Sequence, residues 1–233
     1  MPDRSLTPIA TGLVAMGLAI ALLLSGCNPT NGVRDDDDAV EAAQTITRNR
    51  TQADRIIREV MEEFDEEDPN SILQGIIKYE EAVLLLDEAV TLAPNSTQPR
   101  LERFRLRKRI ASGYHYLYAL ADEECKPLEE EDLDVPVDLK ERRATAKAGS
   151  KRWFRLSIRD MKRHLQSSPI SYQNPTQYWD LQQCHVALGD YDGARNTLLE
   201  LLSAYGSKLS TRDRREIESR IRLYAQKLID AEI

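Results

Sequence analysis

Residues 71–93 read SILQGIIKYEEAVLLLDEAVTLA. Within them Ile72, Ile76, Tyr79, Val83, Leu86 and Val90 recur at intervals of four, three, four, three and four. That spacing draws a single apolar stripe down a helix of 3.6 residues per turn. Pro94-Asn95 stops it.

The same period extends in both directions from this segment. Upstream, residues 39–66 carry Ala53, Ile56 or Ile57, Val60 and Phe64 on one face, and Pro69 breaks the run. Downstream, residues 97–123 have two apolar sides. One holds Leu106, Ile110, Gly113 and Leu117, the other Leu101, Phe104, Ala111, Tyr114 and Tyr118. A helix with two apolar sides lies between two neighbours. Residues 124–137, with Pro127, Pro136 and four consecutive acids, read as an acidic loop. A fourth helix is expected over 138–167, with Phe154, Ile158, Met161 and Leu165 as its stripe. A break at 169–174 follows, then helices at 175–188 and 191–205 separated by Gly189-Asp190. The last helix, 210–231, opens on Ser210 with Asp213 three residues on, the spacing of an N-cap, and carries Ile217, Ile221, Tyr224 and Leu228. No alternating strand pattern of useful length occurs. The expected fold is all-α, about seven helices whose short links make antiparallel neighbours.

Two stretches share the pattern Tyr-x-x-Ala-x-x-x-Leu. One is Tyr79, Ala82 and Leu86; the other is Tyr191, Ala194 and Leu198, preceded by Tyr178, Leu181, His185 and Leu188 before a Gly-Asp turn. This resembles the second helix of a tetratricopeptide (TPR) repeat, and the C-terminal copy resembles a whole one. The interval between the two tyrosines exceeds three 34-residue periods by about ten residues. We therefore read residues 97–167 as one expanded pair of long helices. The resemblance implies three hairpins in a short right-handed solenoid, capped by 210–231, whose outer residues Arg214, Arg215, Glu218 and Arg222 suit a polar cap. It also implies protein–protein interaction. A compact bundle with an accidental likeness is the alternative.

The N-terminus has a different character. Arg4 precedes an almost uncharged segment from Pro8 to Leu24, which is short for a membrane span and laid out like a secretory signal. It ends in Leu24-Ser25-Gly26-Cys27, which resembles the lipobox of bacterial lipoproteins. That resemblance implies cleavage before Cys27 and lipid on its sulfur, since two or more acyl chains are needed for stable anchoring. The expected divisions are a signal over 1–26, a lipidated Cys27 with an acidic tether over 27–38, and a helical domain over 39–233. Asn28 in place of aspartate favours the outer membrane, facing the periplasm.

The 233 residues are 41% hydrophobic and 30% charged, so a globular body is expected after the anchor. A net charge of −7 argues against a nucleic-acid partner. Cys125 and Cys184 either pair in an oxidising compartment or remain thiols. His115, His164 and His185 sit apart with no metal-ligand spacing, and His185 falls on a packing face. No phosphate loop or nucleophile motif is present, so neither enzymatic activity nor a cofactor is expected. Basic residues crowd two segments, Arg100–Arg109 and Lys151–Arg163. A basic patch of Arg103, Arg107, Arg152, Arg155 and Arg159 would meet anionic lipid headgroups or an acidic partner; internal pairing with the acidic segments is the alternative. The expected function is that of a lipid-anchored envelope scaffold or assembly accessory that binds other envelope proteins. A binder of a small ligand, lipid or glycan is the second reading, and an envelope enzyme the third.

Overall fold

The computed structural model describes residues 36–65 and 68–231. The signal, Leu24-Ser25-Gly26-Cys27 and most of the tether lie outside the described residues. The chain divides into two compact units, 1–45 and 46–233. Of the first, the described part is the opening turns of one helix. Among the described residues no helix is long and apolar enough to cross a membrane.

The described chain is all-α: α1 Asp36–Glu63, α2 Pro69–Leu92, α3 Thr97–Glu130, α4 Val137–Ser167, α5 Pro175–Ala187, α6 Tyr191–Tyr205 and α7 Thr211–Ala231, with a 3-10 turn at Ile170–Tyr172. The seven helices pack sequentially as antiparallel neighbours. α1 starts three residues inside the expected tether. The Asp38 carboxylate in its first turn faces the positive end of the helix dipole, which favours the extension.

Pro69 starts α2 as well as separating it from α1. It occupies the first helical turn, where its missing N–H costs nothing, and Asp68 caps the helix by accepting from the N–H groups of Asn70 and Ser71 at 3.0 and 3.1 Å. α1 lays Ala53 and Val60 into the core, flanked by the half-buried Ile56 and Ile57. Arg50 reaches Glu102 of α3 through Nε, at 2.8 Å, and Asn49 donates to Glu88 of α2 at 2.7 Å. Phe64, expected on this face, falls beyond the last turn and is 39% exposed.

α3 lies between α2 and α4, as its two apolar sides require. It continues seven residues past its expected end, through Pro127. The driving contact is apolar. Ala121 and Cys125, one turn apart, bury themselves with Val135 and Leu139 in a small separate cluster. Pro127 costs the helix one hydrogen bond, and the ladder resumes where the Glu131 N–H donates to the Pro127 carbonyl at 3.1 Å. The helix ends in a Schellman motif. Leu133 N–H donates to the Leu128 carbonyl at 2.8 Å and Asp132 N–H to that of Glu129 at 3.3 Å, with Asp132 at φ +57°.

Two cores carry the remainder. The larger joins α1 to α5 around Ile72, Ile76, Leu86, Phe104, Ile110 and Met161. The second joins α5, α6 and α7 around Tyr178, Leu198, Leu201, Ile217 and Tyr224. The link between α5 and α6 is a second Schellman motif. Asp190 N–H donates to the His185 carbonyl and Gly189 N–H to that of Val186, both at 2.9 Å, with Gly189 at φ +73°. On α7, Ser210 accepts from the Asp213 N–H at 3.1 Å as the expected cap. α7 buries Ile217 and Tyr224, while Arg214, Arg215, Glu218 and Arg222 are exposed.

Candidate functional site

The basic residues of α3 and α4 separate into two systems. The first is buried. Positions 100, 103 and 107 share one face of α3 and turn toward α4. Arg103 donates to both oxygens of Asp160, through Nε at 2.9 Å and Nη2 at 2.6 Å, and through Nη1 to Asp87 at 2.6 Å. Arg107 donates to Asp160 at 2.8 Å and to the same Asp87 oxygen at 2.7 Å. Asp160 is wholly buried, Arg107 is 4% exposed and Arg103 is 8% exposed, while Asp87 reaches solvent. Two guanidiniums thus meet two carboxylates from three helices, and the cluster is neutral. Burial opposes the charge on each arginine. At Arg103 the bonds to Asp160 and Asp87 outweigh burial and raise the pKa; at Arg107 burial prevails and lowers it.

Arg100 sits one turn away and donates to Ser167 Oγ at 2.8 Å and to the Pro94 carbonyl. Arg103 and Arg107 are therefore not part of a surface patch; internal pairing claims them. The sequence held one unused signal. Asp160 is the sole acid between residues 142 and 168, amid nine lysines and arginines, and it shares a helix face with Trp153, Ser157 and His164. A lone acid on an apolar face needs a buried cation.

The second system is exposed. Lys151, Arg152, Arg155, Arg159, Lys162 and Arg163 all face outward, and among the described residues none of them makes an ion pair. The earlier part of α4 differs. Arg142 approaches Glu124 at 3.6 Å, Arg143 bridges Glu129 at 2.6 Å and Asp122 at 3.4 Å, and Lys147 lies over the Tyr118 ring. From Lys151 onward the acidic end of α3 is out of reach. Lys151, Arg155 and Lys162 lie on the side of α4 opposite Asp160, with Arg152, Arg159 and Arg163 on its flank, and the row runs for about 18 Å at 1.5 Å per residue. Arg152, Arg155 and Arg159 are exposed, and of the two alternatives internal pairing does not claim them.

The other candidate residues fall into place individually. Cys125 and Cys184 are free, buried thiols in different clusters, so of the two alternatives the structure has the unpaired one. Burial pushes the Cys184 thiol up to about 12, which keeps it protonated and unreactive. Tyr79, Ala82, Leu86, Tyr178, Leu181, Ala194 and Leu198 are buried, and Tyr191 stacks on Tyr224 with ring centroids 5.8 Å apart. Tyr114 and Tyr118 are half-buried, and Tyr116 is exposed on the opposite side.

His164 receives a hydrogen bond at Nε2 from the Gln177 amide, 3.1 Å away, and its Nδ1 lies 3.2 Å from the Thr97 carbonyl. The carbonyl can only accept, so the proton is on Nδ1. His185 Nδ1 lies 2.6 Å from Asp190 Oδ2, while its Nε2 is buried with no partner. Burial lowers the pKa of both rings. Among the described residues no three His, Cys, Asp or Glu side chains come close enough to hold a metal ion. A polar cleft of about 390 Å³ opens between α3 and α4, lined by Tyr118, Asp122, Lys140, Arg143, Ala144 and Lys147.

Compared with the models of known protein families the chain matches none, and no curated protein matches it.

Proposed function

We propose that the protein is a lipid-anchored component of the bacterial cell envelope that binds other envelope proteins, as a scaffold or assembly accessory. Its helical hairpins act in the manner of TPR repeats. Cys27 carries the lipid, and the body faces the periplasm from the outer membrane. The observation that supports this most is the pair of small residues at matching places. Ala82 of α2 and Ala194 of α6 are both fully buried, each three residues after a tyrosine and four before a buried leucine. Close helix approach at an alanine is what a hairpin stack uses to repeat its geometry. The resulting rigid array leaves the outer faces of its helices open to a partner.

The test is crosslinking in intact host cells, followed by detergent extraction, affinity capture and mass spectrometry, with Cys27→Ser as the mislocalised control. The proposal expects one or two envelope proteins captured repeatedly and lost in the control. Abundant anchored protein with no captured partner would overturn the scaffold reading.

A second reading, a small-ligand-binding lipoprotein, draws on the cleft between α3 and α4. Three cations line it, yet Arg143 is already bound by Glu129 and Asp122. A ligand there must be anionic and must compete with those carboxylates, which makes this reading the weaker one.

A further inference from the structure

We infer that the outer face of α4 is a docking surface for anionic lipid headgroups, so that the body lies against the bilayer along Lys151–Arg163. The inference deepens the anchored reading and rests on it to the extent that a bilayer must be within reach.

Charge arrangement carries the argument. The whole chain is at −7 and an anionic bilayer repels it at long range. Screening confines that repulsion to about 8 Å at physiological ionic strength, so at contact only the local charge counts. Across residues 151–163 the exposed charge is all positive, the nearby carboxylate of Asp190 reaching only Lys162 at one end of the row. Six cations are exposed, and the single acid, Asp160, points the other way and is spent on Arg103 and Arg107. Elsewhere on α3 and α4 some surface cations already have partners, as Arg143 and Lys108 do, while exposed Arg105 and Lys140 stand singly rather than in a row.

The choice between lipid and protein follows from what the face lacks. Interfaces between folded proteins are centred on aromatic or aliphatic anchors and are depleted in lysine. Among the described residues from Asp138 to Ser167, no large apolar side chain is exposed. The positions that flank the row on this face are Ala144, Ala148 and Gln166, and between the cations Leu156 and Ile158 are half-buried against the core. A row of cations without an anchor gains little from a shaped partner and gains fully from a plane of headgroup charge, where each cation acts independently. The row is also held straight. Arg103 and Arg107 fix the opposite side of α4 at its middle.

The test is amine footprinting of the full chain reconstituted into vesicles of phosphatidylcholine, and into vesicles where part of it is replaced by phosphatidylglycerol. Acetylation of Lys151 and Lys162 is followed by mass spectrometry, with exposed Lys208 as reference. The expected result is at least about fivefold slower modification of Lys151 and Lys162 on the anionic vesicles. Lys208 should be unchanged, and high salt should abolish the difference. R155E/R159E should lose the protection while keeping its helical circular dichroism. Equal rates on the two vesicle types would overturn the inference. So would protection by polyglutamate but not by anionic vesicles, which would assign the face to an acidic polypeptide. Sedimentation of the same samples judges the anchor separately. A chain that fails to sediment with neutral vesicles refutes the anchored reading, while its footprint with anionic vesicles still decides the docking face.

Discussion

Arg103 and Asp160 meet side by side, with two nitrogens of one on two oxygens of the other, in a place water does not reach. The pair ties α3 to α4 at the point where Asp87 also brings in α2. Breaking it should be costly, because Asp160→Asn leaves two buried guanidiniums facing one carboxylate. The expected loss is about 3–5 kcal/mol, read by chemical denaturation. Replacing Asp160, Arg103 and Arg107 together by apolar residues of similar volume should recover most of it. A loss under about 1 kcal/mol for Asp160→Asn would mean that water enters the cluster.

Gly149 of α4 lies directly over the Tyr114 ring of α3. A methyl group there would sit 2.8 Å from ring carbons. Gly149→Ala should therefore destabilise the protein by about 1–3 kcal/mol, although alanine is the better helix former. Tyr114→Leu made in the same chain should relieve much of that loss. A neutral or stabilising Gly149→Ala, seen as an unchanged or raised Tm, would show that the two helices are further apart.

The two Schellman turns predict opposite responses to substitution. Gly189 has open space around its would-be Cβ, so Gly189→Ala costs only the left-handed backbone, about 1 kcal/mol. Asp132 holds the same conformation with a side chain in place. Asp132→Gly should raise stability, by up to about 1 kcal/mol, and Asp132→Val should lower it. Denaturation midpoints of the three variants check this, and a lowered midpoint for Asp132→Gly would refute it.

Acid should weaken the fold earlier than the carboxylates alone would require. Histidine in an unfolded chain titrates near 6.5, and burial holds His164 and His185 below that. Above about pH 6.5 both states are neutral and this contribution to stability is complete. Below it the unfolded chain takes up protons that the folded one refuses, so stability falls as pH drops toward the folded values. Thermal melts from about pH 7.5 to about pH 5 should show a declining Tm, with a shallower slope in H164N/H185N. Identical slopes would place the titration elsewhere.

Much of this architecture could be read from periodicity. The stripe from Ile72 to Val90, the two-sided third helix, the Gly189-Asp190 turn and the Ser210 cap all depend on local spacing, and local spacing survives folding unchanged. Two features depended on partners distant in sequence. Pro127 looked like the end of a helix because its cost is local. The gain that offsets it, Cys125 against Leu139, comes from the next helix. For Arg103 and Arg107 the sequence leaves a surface patch and internal pairing both open, because their carboxylate lies more than fifty residues away on α4. The outward row on α4 was visible as a run of cations, but only the absence of partners around it gives the run a direction.

Sequential packing also bears on the order of assembly. Because each helix meets mainly its neighbours in sequence, α2 can settle on α3, and α5 on α4, while the chain is still growing. The Asp87–Arg103–Arg107 group is complete early but carries an excess positive charge until Asp160 arrives with α4. The last carboxylate to join therefore acts as a latch. Until it closes, two guanidiniums share one carboxylate; once it closes, α2, α3 and α4 are joined through one neutral cluster.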